Sequence, residues 1–334
     1  MPHRLLLDPH VLSEQPLCEF QHWHGVARCG GVAILPWRRS WLDATVADIN
    51  ARNSSDGLSQ QWTQCVVHLQ KSRDATWSDL AEAWRLLTPG GRLLFCGGNA
   101  LGVVSAVKRL AKELQQEPQI LAHRARARVA CFVKGVGPTP VLPQFKKIGV
   151  PLCSDARLTL ATAPGVFSAS KLDRGTALLL SCIENQPPPE AILDLGCGAG
   201  PLGIVALHNW PHSRALLLDA DARAVACAQH NAQRLGVGGR CQVQWWDATE
   251  GFAPQYFDLI LLNPPFHTGK SVDLSPAQAM FNIIPERLRT HGTALVVANR
   301  SLPYEKPLAR VGEIKELRVA DGYKVIQVTH PRRR

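Results

Sequence analysis

Apolar-rich runs of strand length recur through the carboxyl-terminal half of the chain, at 192–195, 215–218, 241–246 and 257–262. The first of them reads as a buried strand running into a glycine-rich turn, and the others as further strands of the same sheet. Helical stretches separate them, among them 201–210 and 276–289, and that alternation predicts a mostly parallel sheet with helices on both faces. Two further strands, 314–319 and 323–329, are joined by Asp321-Gly322, a hairpin signal that makes the last strand antiparallel. The expectation is an α/β domain built on a seven-stranded, mostly parallel sheet.

The amino-terminal half carries a fainter copy of this order. Residues 65–68 read as a short apolar strand, followed by a helix over 77–87, the turn Thr88-Pro89-Gly90-Gly91 and a strand over 92–96. In the second half the strand reaching Asn263 is followed by the helix over 276–289, Thr290-His291-Gly292 and a strand over 293–298. The first copy has His68-Leu69-Gln70-Lys71 where the second has Asn263-Pro264-Pro265-Phe266, and Gly30-Gly31 is too isolated to replace a glycine-rich turn. It is therefore expected to be a degenerate α/β domain that binds no cofactor and does no chemistry, but supports the other half and helps grip RNA. Gly135, Gly137, Pro138, Pro140 and Pro143 mark a stiff connector near 134–145, which divides the chain into domains 1–140 and 141–334.

At 334 residues the chain is long enough for two such cores. Ten cysteines are scattered without a C-x-x-C pair, which points to reduced thiols rather than a disulfide framework or a zinc site. His22-Trp23-His24 has no further ligand cluster, so no metal is expected. Nothing resembles a signal peptide, and no apolar run approaches the roughly 18 residues of a membrane span, so a soluble, cytoplasmic protein is expected, and it is taken to be a monomer. Charge changes the picture more: 37 Lys and Arg against 27 Asp and Glu give a net +10, which implies an anionic partner such as nucleic acid. Arg124, Arg126 and Arg128 alternate with alanine, and on a strand that spacing would put all three guanidinium groups on one face. The tail Arg332-Arg333-Arg334 would add a mobile basic end, and both clusters suit phosphate contacts that carry no sequence information.

The chemistry lies at the strand ends. Four consecutive strands carry Asp194, Asp219, Asp247 and Asn263 at their carboxyl ends, the edge where open α/β sheets bind ligands. Between the first strand and its helix lies Gly196-Cys197-Gly198-Ala199-Gly200, where glycines let a ligand approach the backbone and the helix start offers free N–H groups. These glycines fall at every second residue, not in the G-x-G-x-x-G pattern of dinucleotide sites, which favours S-adenosylmethionine. Asp219, 25 residues after Asp194, is placed to take ribose hydroxyls, and Asp247 to face an adenine amino group. Asn263-Pro264-Pro265-Phe266 suits methylation of a planar NH2 group, whose lone pair is delocalised into a ring until fixed acceptors draw its hydrogens out of plane. Asn263 offers its side-chain oxygen and Pro264 its carbonyl; the prolines stiffen the loop without adding donors, and a base could stack on Phe266.

These residues resemble the ribosomal RNA guanine-N2 methyltransferases, most closely the 16S rRNA small-subunit type. The match runs through Pro164-Gly165-Val166-Phe167-Ser168, Leu172-Asp173 with Gly175, the glycine turn, Asn263-Pro264-Pro265-Phe266-His267 with Gly269, Ala298-Asn299-Arg300, and Leu302-Pro303-Tyr304. The resemblance implies two tandem class I methyltransferase domains, the first degenerate and aiding RNA binding. It implies S-adenosylmethionine held by Asp194, Gly196, Cys197, Gly198, Gly200, Asp219, Asp247 and Ala248, with Phe167 and Ser168 in a segment lidding the cofactor. Asn263 and Pro264 would be catalytic, with Pro265, Phe266, Arg124, Arg126 and Arg128 on the substrate, 16S rRNA in the 30S subunit or its precursor. A large-subunit guanine-N2 family shares the NPPFH and ANR motifs, so a 23S rRNA enzyme is one alternative. Others are an N6-adenine or glutamine-N5 methyltransferase using the same loop, and a non-catalytic RNA-binding assembly factor.

Overall fold

The computed structural model describes residues 2–8, 10–152, 156–251, 254–265 and 275–333, and the chain divides into two compact units, Met1–Gln144 and Phe145–Arg334. In the first unit the strands are β1 (Leu17–Phe20), β2 (Gly31–Ile34), β3 (Ala51–Arg52), β4 (Trp62–His68), β5 (Leu87–Gly98), β6 (Gln119–Arg124) and β7 (Ala127–Val133). Helices α1 (Pro2–Leu6), α2 (His24–Cys29), α3 (Arg38–Val46), α4 (Arg73–Leu86) and α5 (Val103–Leu114) accompany them. The sheet order is β3-β2-β1-β4-β5-β7-β6, with β7 antiparallel to both its neighbours. Helix α4 starts earlier than the apolar pattern suggests, because the Ser72 side chain accepts from the Ala75 N–H at 3.2 Å and caps it at Arg73.

The second unit opens with a two-stranded hairpin, β8 (Lys146–Pro151) and β9 (Arg157–Thr162), which no turn signal in the sequence announced. Its main strands are β10 (Ala191–Leu195), β11 (Arg214–Asp219), β12 (Cys241–Trp245), β13 (Phe257–Leu262), β14 (Leu288–Asn299), β15 (Glu313–Ala320) and β16 (Tyr323–Thr329). They lie in the order β12-β11-β10-β13-β14-β16-β15, the same seven-strand arrangement as the first sheet, with β16 antiparallel. Helices are α6 (Arg174–Ile183), α7 (Pro201–Asn209), α8 (Ala222–Arg234), α9 (Ser275–Arg287) and α10 (Glu305–Val311). The Asp321-Gly322 hairpin forms, with both residues at positive φ.

Unbroken apolar strands are explained by burial on both faces. In β13, Leu259 and Leu261 enter one core while Phe257, Ile260 and Leu262 enter the other, all at 2% exposure or less. The first unit behaves alike, with Cys65 and Val67 on one side of β4 and Val66 on the other. Even a register shift recurs: it falls between Trp62 and Gln64 against β5 and between Phe257 and Leu259 against β14. Duplication, read over 65–98 from sequence, thus extends over the whole first unit.

Two expectations are corrected. Arg124, Arg126 and Arg128 do not share a strand, because Ala125 and Arg126 adopt φ of 52° and 57° and turn the chain between β6 and β7. Arg124 instead pairs with Asp8 at 3.1 Å, Arg126 stands exposed at the turn, and Arg128 is half-buried, its Nε without a partner. The basic tail is not free either. The Arg332 N–H donates to the Val311 carbonyl at 2.9 Å, and the Arg333 guanidinium lies 5.1 Å from the centroid of the Tyr256 ring; Arg334 lies outside the described residues.

The described cysteines are free thiols, all buried except Cys29 and Cys241. Among the described residues no helix is long and apolar enough to cross a membrane, and no group of three or more His, Cys, Asp or Glu is placed to hold a metal ion.

Candidate active site

Strand pairing brings the four polar strand ends to one edge. Leu195 pairs with both Leu218 and Leu262, so the next residues, Gly196, Asp219 and Asn263, stand side by side; Asp219 pairs with Trp245, which puts Asp247 two residues further on. The glycines there have distinct tasks. Gly196, Gly198 and Gly200 all have positive φ, and a Cβ built on Gly198 would meet nothing within 4 Å, leaving its backbone open to a ligand. At Gly200 a Cβ would come within 2.8 Å of Ile204 Cδ1, and at Gly203 within 2.7 Å of Leu217 Cδ1, so those two serve close packing of α7.

The loop is tied by its acids. Asp219 accepts from the Gly198 N–H at 2.7 Å and the Asp221 N–H at 2.8 Å, while Asp194 accepts from the Gly203 N–H at 2.9 Å through Oδ2. The Gly196 and Cys197 N–H groups both donate to the Leu218 carbonyl. Asp194 is fully buried and its Oδ1 has no partner. Burial, with the neighbouring Asp219 charge, pushes the Asp194 carboxyl up to about 7 against the pull of the Gly203 N–H. Burial likewise raises Asp219 to about 6. An orphaned buried carboxylate oxygen, a second strained acid and open space over Gly198 fit a nucleoside ligand bearing positive charge, as S-adenosylmethionine does.

Asp247 closes a short turn, its Oδ1 accepting from Thr249 N–H at 3.0 Å, and Ala248 beside it is half-buried. Val166 packs with Ala199 of the glycine turn, which brings the Pro164–Ser168 segment against it; Phe167 is 61% exposed and Ser168 has φ of 59°. Asn231 is a residue that strand-end patterns could not reveal. It is fully buried on α8 and donates from Nδ2 to the carbonyls of Ala161 and Ala199, buckling β9 to the turn.

At the end of β13, Asn263 is half-buried, Pro264 buried and Pro265 exposed; Phe266 lies outside the described residues. Asn263 Nδ2 donates to Thr176 Oγ1 at 2.9 Å and to Asp173 Oδ2 at 3.3 Å. Its donors engaged, the amide retains an oxygen able to accept from a substrate amine.

Equivalent positions of the first unit carry different chemistry. Phe20 pairs with Ile34 and Val67, so Glu19 stands where the second unit has Asp194, Leu35 where it has Asp219, and His68 where it has Asn263. Gln21, at φ of 73°, takes the place of Gly196. Glu19 still accepts from a helix amide, the Gly25 N–H at 2.7 Å, but its other oxygen meets His68 Nε2 at 2.7 Å. His68 Nδ1 reaches Cys96 Sγ at 3.1 Å, and the His22 ring meets the imidazole edge-on at 4.3 Å between centroids. Burial disfavours the imidazolium, yet Cys96 and Glu19 outweigh it and raise His68 to about 10. That buried pair fills the strand-end position, and apolar Leu35 cannot hold a ribose.

The methyltransferase small domain model matches residues 157–327. Ribosomal RNA small subunit methyltransferase C of Pseudomonas paraeruginosa (strain DSM 24068 / PA7) is 32% identical over 322 residues, covering 96% of this chain and 92% of that protein. Its namesake from Pseudomonas putida (strain GB-1) is 39% identical over 272 residues, covering 79% of this chain and 78% of its own. Among solved structures, the T. thermophilus 16S rRNA N2 G1207 methyltransferase (RsmC), in complex with AdoMet and guanosine, superposes with a TM-score of 0.84 at 25% identity, covering 98% of this chain and 91% of that one. Matched along nearly its whole length and in both sheets, the chain belongs to the ribosomal RNA small subunit methyltransferase C family.

Proposed function

We propose that this chain methylates the exocyclic N2 amine of a guanine in 16S rRNA, with S-adenosylmethionine as methyl donor. The observation that carries it is Asn263, a planar amide with both donor contacts satisfied, set on the strand beside the glycine turn. Support comes from the T. thermophilus relative, whose structure contains AdoMet and guanosine.

Bound S-adenosylmethionine supplies an electrophilic methyl group; the remaining work falls to the chain. Asp219 and Asp247 hold the nucleoside, Gly196, Cys197, Gly198 and Gly200 let it lie against the backbone, and Asp194 sits beneath as a countercharge. Phe167, Ser168 and Ala248 close over it. Asn263 Oδ1 and the Pro264 carbonyl accept the two amine hydrogens, turning the nitrogen lone pair toward the methyl. The N–C bond would form as the methyl–sulfur bond breaks and the neutral thioether leaves; the alkylated nitrogen is then acidic and loses its proton to water or to the Asn263 and Pro264 acceptors, so no strong base is needed. Orientation of this kind contributes up to roughly 7–11 kcal/mol. Unstacking the guanine costs a few kcal/mol, which stacking on Phe266 beside Pro265 offsets by about 1–3 kcal/mol.

The first unit supports the second and adds phosphate contacts through the β6–β7 turn with Arg124 and Arg126, in keeping with a net charge of +10. The enzyme acts as a cytoplasmic monomer on the 30S subunit or its precursor. Incubating it with tritiated S-adenosylmethionine and 30S subunits, bare 16S rRNA, 50S subunits or DNA tests this, with the product nucleoside identified by mass spectrometry. N2-methylguanosine in 16S rRNA is expected. Label confined to 50S subunits or DNA, or appearing as N6-methyladenosine, would overturn it.

A further inference from the structure

In the segment Leu172-Asp173-Arg174-Gly175-Thr176, Asp173 and Thr176 lie 90 and 87 residues before Asn263 in sequence, yet their side chains hold the Asn263 amide. We infer that Asp173 and Thr176 are positioning residues: they lock Asn263 in the one orientation that presents its oxygen to the substrate amine. The inference rests on the guanine-N2 reading above and deepens it.

An asparagine side chain is nearly symmetric in shape, and a half-turn about its last bond exchanges oxygen for NH2. The exchanged form would set a donor against the donor hydrogens of the substrate amine, a repulsive and unproductive contact. A carboxylate can only accept, so the side of Asn263 facing Asp173 must be the nitrogen. Thr176 Oγ1 takes the shorter of the two contacts, 2.9 Å against 3.3 Å. Among the described residues Asn263 Oδ1 has no hydrogen-bond partner.

The clamp is itself rigidly held. Asp173 is the N-cap of α6, its Oδ2 accepting from the Thr176 N–H at 3.0 Å, so one carboxylate both starts the helix and faces the amide. Thr176 is 4% exposed and cannot swing out to water. From β16, Tyr323 faces this segment, and burial together with the Asp173 charge raises the phenol above its usual range. Its ring lies so close to Gly175 that a Cβ there would come within 2.9 Å of two ring carbons. Gly175 is thus glycine because the tyrosine supporting the clamp occupies the space of its side chain. In the first unit His68 stands in place of Asn263 and binds Glu19, so this clamp belongs to the second unit.

The test uses the full chain with Thr176→Val, Thr176→Ser and Asp173→Asn. Asparagine still caps α6 but offers both a donor and an acceptor, so Asn263 loses its enforced orientation. Single-turnover methyl transfer to 30S subunits should fall about 10- to 100-fold for Thr176→Val and Asp173→Asn, with S-adenosylmethionine affinity within about twofold of wild type. Thr176→Ser, which keeps the hydroxyl, should stay near wild type. In an Asn263→Ala background neither substitution should lower the rate further, whereas a purely structural role would reduce both backgrounds by the same factor. A second readout needs no catalysis: by NMR, the side-chain amide protons of Asn263 should exchange with solvent more slowly in wild type and Thr176→Ser than in Thr176→Val. Equal loss in both backgrounds, an unchanged rate in Thr176→Val, or equal amide exchange would overturn the clamp. A wild type that methylates no guanine while its Asn263 amide stays protected overturns the guanine assignment and still supports the clamp.

Discussion

Asp194 shows how a single buried acid links ligand binding to stability. Its carboxyl rises from 3.8 to about 7 in the folded chain, so the folded state binds the proton more tightly than the unfolded one. The sign follows: its favourable contribution is complete below pH 3.8 and is lost as pH rises through about 7. Asp194→Asn removes the charge yet keeps an oxygen for the Gly203 N–H, the one hydrogen-bond donor that Oδ2 meets among the described residues. Ligand-free Asp194→Asn protein should therefore melt higher than wild type, by an amount that grows between pH 4 and about 7 and then levels, on the order of a few kcal/mol. S-adenosylmethionine affinity should drop at the same time, the usual conflict between a site and its scaffold. Calorimetric melting curves across that pH range check both; parallel curves for the two proteins would show that Asp194 carries no such strain. The strand-end acids were legible in sequence because their chemistry is carried by type and offset. Asp173, Thr176 and Asn231 were not assigned roles, because nothing near them in sequence shows which distant groups they meet.

Elements were read best where a pattern is local. The Asp321-Gly322 hairpin, the glycine turn and the apolar strands depend on neighbours a few residues away. The arginine repeat misled because period-2 spacing was taken for an uninterrupted strand, whereas Ala125 and Arg126 form the turn between β6 and β7. This division predicts unequal effects. Replacing Arg124 and Arg126 with glutamine should weaken RNA binding alike for all sequences and flatten the plot of log affinity against log salt by roughly 0.7–0.9 for each phosphate left without its cation. Melting temperature should barely move, since exposed pairs such as Arg124–Asp8 contribute little. Arg128→Gln should act on stability instead, because its half-buried stem packs within the unit. Filter binding of an rRNA fragment at several salt concentrations measures the slopes, and an unchanged slope for the double variant would relocate the RNA grip.

At the scale of the whole chain, two sheets of one topology have diverged in what their strand ends carry. Leu35 and the Glu19–His68 pair occupy the positions of Asp219, Asp194 and Asn263, so the full chain should bind one S-adenosylmethionine, not two. Titration calorimetry should give a stoichiometry of one for wild type and no measurable binding for Asp219→Ala; residual binding in that variant would return the first unit to consideration. The sequence by itself determined the α/β class, the antiparallel last strand, the partial duplication and the residue types at the catalytic edge. Each is written in patterns that span a few residues or one strand–helix repeat. Tertiary structure alone decided that the duplication covers all seven strands of the first sheet, that Glu19 and His68 neutralise its cleft, and that Asp173 and Thr176 hold Asn263. These depend on contacts across 49 to 90 residues of chain, which strand order creates and which no local pattern contains.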